Sequence, residues 1–352
     1  MLKNKIDAIV ALIVLASLPT ISSAQGTGLT RKEVLKNPLM SASVSVITAN
    51  SIGFLDSTDL TNAQLPWWMP AIIAPQHLPM YKINPGLAKK YSIAEGVFLG
   101  AHYATRDNYM LAKTTINLYM MTAWYSSYNM YKINRNNAAP GVYKDEWKGY
   151  SVKELAVAPI QFKKLIRPMF LLPVGLIAWS QFRQISDSET SIFETKKAYI
   201  DGKEYSVGAG LALMTTNNII HYLATGIGEE VLYRGFIYEE LRTTFGSRRA
   251  KFYDFFIFPS IHIPMDLAAG RKSDEIGGRF VERGIATLLF DYAYDRGGLP
   301  LAVSLHTWFN FINFTTNWMR DGGVPDINAI EENGGSASIS APLIMISYTW
   351  QF

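Results

Sequence analysis

Long uncharged runs alternate with charged connectors along the second half of the chain. Residues 206–228 contain no Asp, Glu, Lys or Arg over 23 positions, and residues 299–319 contain none over 21. Each run is long enough for a helix that crosses a bilayer. Neither alternates in polarity as a strand with one wet face would. Shorter helix candidates lie at 93–105, which carries Glu95, at 114–131, at 169–179, at 252–265 with His262 inside, and at 285–294. Residues 61–81 are uncharged but hold Pro66, Pro70, Pro75 and Pro79, so they do not read as a simple span. The Trp67-Trp68 pair there suits a membrane interface. Between these runs, 134–153 reads as a polar connector and 187–203 as a charged loop or hairpin. Residues 242–251 read as the most basic loop, and 271–283 as a charged stretch.

Lys3 and Lys5, an apolar run over 6–18 and Ser22-Ser23-Ala24 have the order of a cleavable signal peptide, or failing cleavage a first membrane anchor. This divides the chain into 1–24, an N-terminal region at 25–160 with one or two membrane-associated helices, a domain at 161–320, and a tail at 321–352. Charged residues make up only 18% of the chain, below the roughly 25% of an average soluble domain, which leans toward the membrane. A net charge of +4 without a dense Lys/Arg tract argues against nucleic acid as a partner. With no cysteine, disulfides, thiolate nucleophiles and zinc–thiolate sites are excluded. Any histidine chemistry must draw on His77, His102, His221, His262 and His306.

Charged groups set into apolar segments are costly and usually mark function. Glu229, Glu230 and Arg234 close the 206–228 run. Glu230 and Arg234 are four apart and share a helical face, so the arginine can pair with Glu230 and keep it ionised. Glu229 lies about 100° around the helix and can face another partner. His262 follows Phe258 by four, and His306 precedes Asn310 by four, so each pair shares a face. A carboxylate, two imidazoles and an amide on three helices form a hydrolytic constellation. The carboxylate serves as general base on water. The imidazoles orient that water or bind a divalent metal. The amide donates to a substrate oxyanion. Any one of these alone is more often structural: an ion pair, a hydrogen-bonded core histidine, an ordinary amide. His221, two turns before Glu229, is a weaker candidate neighbour.

The motifs Glu229-Glu230-x-x-x-Arg234-Gly235, Phe258-x-x-x-His262 and His306-x-x-x-Asn310 resemble, in that order, those of the CPBP (CAAX-protease-like, Abi) intramembrane endopeptidases. The resemblance covers about 205–318 and includes Gly284, Phe290, Tyr294 and Arg296 to Leu299. It implies an all-α polytopic transmembrane helical bundle with a polar intramembrane cavity. Glu229, His262 and His306 would activate water there, with Glu230 and Arg234 in support and Asn310 as oxyanion stabiliser. Glu229, His262 and His306 would also be the ligands of a divalent metal such as zinc, if one is used. The implied partners are a membrane-associated protein or peptide substrate and the lipid bilayer, and the implied location is a bacterial inner membrane, crossed several times. Two other readings stand beside it: a non-catalytic scaffold or immunity-type protein on the same fold, and an outer-membrane β-barrel. The barrel would explain the signal peptide and the ending from Ile346 to Phe352, but not the unalternating runs.

Overall fold

The computed structural model describes residues 28–57, 77–105, 108–143, 147–186, 188, 191–268 and 270–321. The expected signal segment, most of the proline-rich 61–81 run and the tail beyond Asp321 lie outside them.

The described chain is overwhelmingly helical. Its longer helices are α1 (Arg31–Ser57), α2 (Pro85–Ala104), α3 (Tyr109–Asn136), α4 (Pro168–Ser186) and α5 (Val207–Leu232). They continue through α6 (Glu239–Phe245), α7 (Ser247–Ser260), α8 (Ile263–Ala268), α9 (Ser273–Gly297) and α10 (Leu299–Arg320). Among the described strands, β1 (Lys197–Ile200) and β2 (Lys203–Ser206) pair antiparallel. They turn through Asp201 and Gly202, both at positive φ, as a tight hairpin requires. This meets the expectation of a loop or hairpin near 187–203. The Trp318 indole N–H donates to the Tyr199 carbonyl at 3.0 Å and fastens the hairpin to the end of α10.

The 206–228 and 299–319 runs become α5 and α10, the centre of the bundle. α5 packs between α3 and α10; α1 and α2 cover α3, α4 covers α10, and α7 pairs with α9, which reaches α10. Glycine sets these approaches. A Cβ on Gly226 would lie 2.5 Å from the Thr307 hydroxyl oxygen, and one on Gly228 would lie 3.0 Å from the Met121 Cα. Glycine inside a helix costs about 0.5–1 kcal/mol relative to alanine. Here its missing side chain lets α5 lie close against α3 and α10.

Three sequence expectations are corrected. The basic 242–251 stretch is not a loop: Arg242 is in α6, and Arg248, Arg249 and Lys251 are in α7, with only Gly246 between the helices. The charged 271–283 stretch and the short 285–294 candidate belong to one 25-residue helix, α9. The 252–265 run is not continuous, because Pro259 in the last turn of α7 ends that helix and Ile261 and His262 form a turn before α8. The N-terminal region at 25–160 contains α1, α2 and α3 among the described residues.

Among the described residues no helix is long and apolar enough to cross a membrane. The helical architecture agrees with expectation; the crossing of a bilayer gains no support from helix hydropathy. The reason is visible in the central pair. α5 carries Asn217, Asn218, His221, Glu229 and Glu230, and α10 carries His306, Asn310, Asn313 and Asn317.

The N-terminal helices are tied to the rest by charge. Arg135 on α3 pairs with Glu239 on α6 at 3.0 Å, and Arg31 on α1 pairs with Glu240 at 3.0 Å. The Tyr294 hydroxyl on α9 also donates to Glu239 at 3.0 Å.

Candidate active site

Glu229 and Glu230 sit in the last turn of α5, where the helix widens into a π turn over Tyr233–Tyr238. Such wide turns often occur at functional sites. Glu229, Glu230, Arg234, Phe258, His262, His306 and Asn310, the seven residues singled out from the motifs, are all buried.

The expected Glu230–Arg234 pair is formed, at 3.1 Å. Glu230 also accepts a hydrogen bond from His306 Nδ1 at 2.7 Å. With Nδ1 carrying its proton toward a carboxylate, Nε2 is the basic nitrogen of that ring. Nε2 lies 3.8 Å from a Glu229 carboxylate oxygen. The two glutamates thus share one histidine, one at each ring nitrogen, rather than facing separate partners. The ring is held flat by stacking on Phe290, with centroids 4.5 Å apart and planes 11° apart.

Burial pushes the Glu229 carboxyl up to about 7; the His306 and Arg234 charges oppose that rise and the Glu230 charge adds to it. A carboxyl poised near neutrality is suited to taking and returning a proton. The Glu229 oxygen nearest His306 has no hydrogen-bond partner in the protein.

Phe258 is the platform beneath this group. Arg234 lies over its ring at 4.8 Å, the Tyr233 ring meets it edge-on at 4.8 Å, and His262 packs on it at 5.0 Å. His262 sits in the turn after α7 and donates from Nδ1 to the Phe258 carbonyl at 2.9 Å, which makes Nε2 its basic nitrogen. Burial, and after it the charge of Arg283, pull His262 well below the usual imidazole range, so it is neutral. Asn310, one turn after His306, is buried with neither side-chain amide atom bonded to protein. Buried amides are normally satisfied, so this one is open to water or substrate. His221 turns away to α3, with Nδ1 3.3 Å from the Asn117 amide.

Two acids escaped the sequence reading. Arg234 Nε donates to Asp291 at 3.0 Å and lies 3.7 Å from Asp254, while its Nη2 donates to the Thr287 carbonyl at 3.3 Å. One guanidinium therefore faces three buried carboxyls. Asp254 and Asp291, on α7 and α9, meet at the same guanidinium nitrogen. Burial raises both; Asp254 reaches about 6, and the neighbouring Asp254 charge lifts Asp291 further. The signal was available: each is a lone acid in an apolar run, Phe-Tyr-Asp254-Phe-Phe and Leu-Phe-Asp291-Tyr-Ala.

Glu229, His262 and His306 do not converge as a metal-holding set. Among the described residues no three His, Asp or Glu side chains are placed to hold a metal ion.

Residues 212–312 match the family described as type II CAAX prenyl endopeptidase Rce1-like. No curated protein and no solved structure matches the chain.

Proposed function

The segment 212–312 is of the CAAX-protease family, and from that premise we propose that this chain is an endopeptidase that hydrolyses membrane-associated proteins or peptides with a glutamate-activated water. The observation that carries the reading is His306, held by Glu230 at Nδ1 and turned to Glu229 at Nε2.

Each group then has a task. Arg234 holds Glu230 in place, and Glu230 fixes the orientation and tautomer of His306. Glu229 takes a proton from water, whose oxygen attacks the peptide carbonyl carbon. The carbonyl oxygen becomes an oxyanion, to which Asn310 Nδ2 donates. When the C–N bond breaks, Glu229 returns its proton to the leaving amine. His262, neutral and hydrogen-bonded to its own helix end, lines the site and orients the water.

Stripes of exposed apolar side chains supply the contact with lipid. Leu171, Leu172, Leu176, Trp179 and Phe182 lie along α4, and Val281, Ile285, Leu288 and Tyr292 along α9. Lipid contact of this kind requires an exposed apolar face, not a spanning helix.

The test is cleavage of a membrane-peptide library by the purified chain in nanodiscs, compared with Glu229→Ala and His306→Ala of unchanged helical content. Both variants are expected to lose cleavage. Cleavage retained by either, at the wild-type rate, removes that residue from the reaction.

The pH dependence follows from Glu229. A base must be unprotonated to act, so kcat/KM is expected to rise with pH through an apparent pKa of about 7. Glu230→Gln removes a charge that raises Glu229, so the limb is expected to move to lower pH. A flat profile between pH 5 and 8, at roughly constant stability, would rule Glu229 out as the base.

A further inference from the structure

Tyr233 has no part in the mechanism above, yet it stands beside it. It opens the π turn one helical turn after Glu229, on the same face. Its ring is buried and fixed edge-on against Phe258, with centroids 4.8 Å apart. Its hydroxyl is buried and bonds to no protein atom. That is unusual, because a buried tyrosine hydroxyl normally finds a partner. The buried hydroxyls of Tyr238 and Tyr294 each do: the first donates to Asp295 at 3.1 Å and the second to Glu239 at 3.0 Å. Tyr233 bonds neither Glu229 nor Asp254, although it lies close enough to feel the charge of both.

We infer that the Tyr233 hydroxyl is a second donor to the substrate's carbonyl oxygen, working with the Asn310 amide as the oxyanion forms. The inference rests on the endopeptidase reading. The chemistry of the site calls for such a group. An oxyanion formed in a buried site is stabilised by donors already aimed at it, and one amide leaves room for a second donor. Burial, and after it the Glu229 and Asp254 charges, raise the Tyr233 phenol well above its usual range, so it keeps its proton and remains a donor. Phe258 fixes the ring in advance, so no reorganisation is needed as charge develops.

The test compares wild type, Tyr233→Phe and Glu229→Gln on one cleaved peptide in nanodiscs, with affinity for a phosphinate analogue of that peptide as a second readout. The phosphinate imitates the tetrahedral species. Tyr233→Phe keeps the ring and its packing and is expected to lower kcat by about 10²-fold with KM unchanged. Its affinity for the phosphinate is expected to fall by the same factor as kcat/KM. Full kcat in Tyr233→Phe, with Glu229→Gln inactive, overturns the role of Tyr233 and leaves the endopeptidase reading standing. Equal weakening toward the ground-state peptide and the phosphinate makes Tyr233 a structural residue and also overturns it. Wild-type activity in Glu229→Gln overturns the endopeptidase reading, and this inference with it.

Discussion

Glu229→Gln is expected to lower kcat by about 10²–10⁴-fold while leaving KM and helical content unchanged. Glutamine has the size and shape of glutamate but cannot accept a proton from water. It also breaks little: the nearest partner of Glu229 is His306 Nε2 at 3.8 Å, longer than a hydrogen bond. The same substitution is expected to stabilise the protein above neutral pH. The unfolded chain releases the Glu229 proton near 4.5, whereas the folded chain holds it until about 7. Between those values stability falls as pH rises, and above them the cost of the buried charge stays constant. At about 1.4 kcal/mol per pKa unit, the cost is on the order of 3 kcal/mol. Glutamine removes it. A variant that loses activity and melts higher than wild type at pH 8 identifies a group held in the fold for chemistry. A variant that melts lower at every pH would make Glu229 a structural acid.

The parts of the site legible in the sequence are those set by helical spacing. Glu230–Arg234 and His306–Asn310 each fall on one face because four residues are close to one turn, and the pairs are found so. The partnership of Glu230 with His306, 76 positions apart, was not legible, because it depends on how α5 crosses α10. The crossing is permitted by Gly226, whose meaning appears only once Thr307 is seen against it. Asp254 and Asp291 were legible in principle, by the cost argument already applied to Glu229 and Glu230. They were passed over because each stands alone in a run counted as apolar.

The fold divides in the same way. Uncharged runs at 206–228 and 299–319 match the two central helices, α10 within a residue and α5 except for its last four residues, which carry Glu229 and Glu230. The charged 187–203 stretch is the hairpin expected of it, whereas 242–251 and 271–283 are helical. Residues 271–283 read only as a charged stretch set apart from the 285–294 helix, yet α9 runs through both. Arg283 there pairs with Asp266 at 3.1 Å and so ties α9 to α8. Charge density tells which side of a helix meets water more reliably than where the helix ends.

Arg234→Met is expected to destabilise the protein by about 3–5 kcal/mol, because it leaves buried carboxyls without their cation. Arg234 and its three carboxyl partners, Glu230, Asp254 and Asp291, are fully buried, so water cannot replace the lost charge. The guanidinium is matched to this place by its fork: Nη1 serves Glu230, Nε serves Asp291, and Nη2 takes the Thr287 carbonyl. Burial alone would weaken its charge, and the Glu230, Asp291 and Asp254 carboxylates outweigh that and hold it protonated. Lysine can supply the charge but not three donors in one plane, so Arg234→Lys should recover part of the loss. Adding Asp291→Asn to Arg234→Met removes one of the stranded acids. The double variant is therefore expected to melt higher than the sum of the two single losses predicts. For a chain of this size the single Arg234→Met loss amounts to a fall in Tm of roughly 4–7 °C. A fall of only about 1 °C, or strict additivity with Asp291→Asn, would mean that the carboxyls are not stranded as buried charges when the arginine is lost, and that this cluster is not held together by charge.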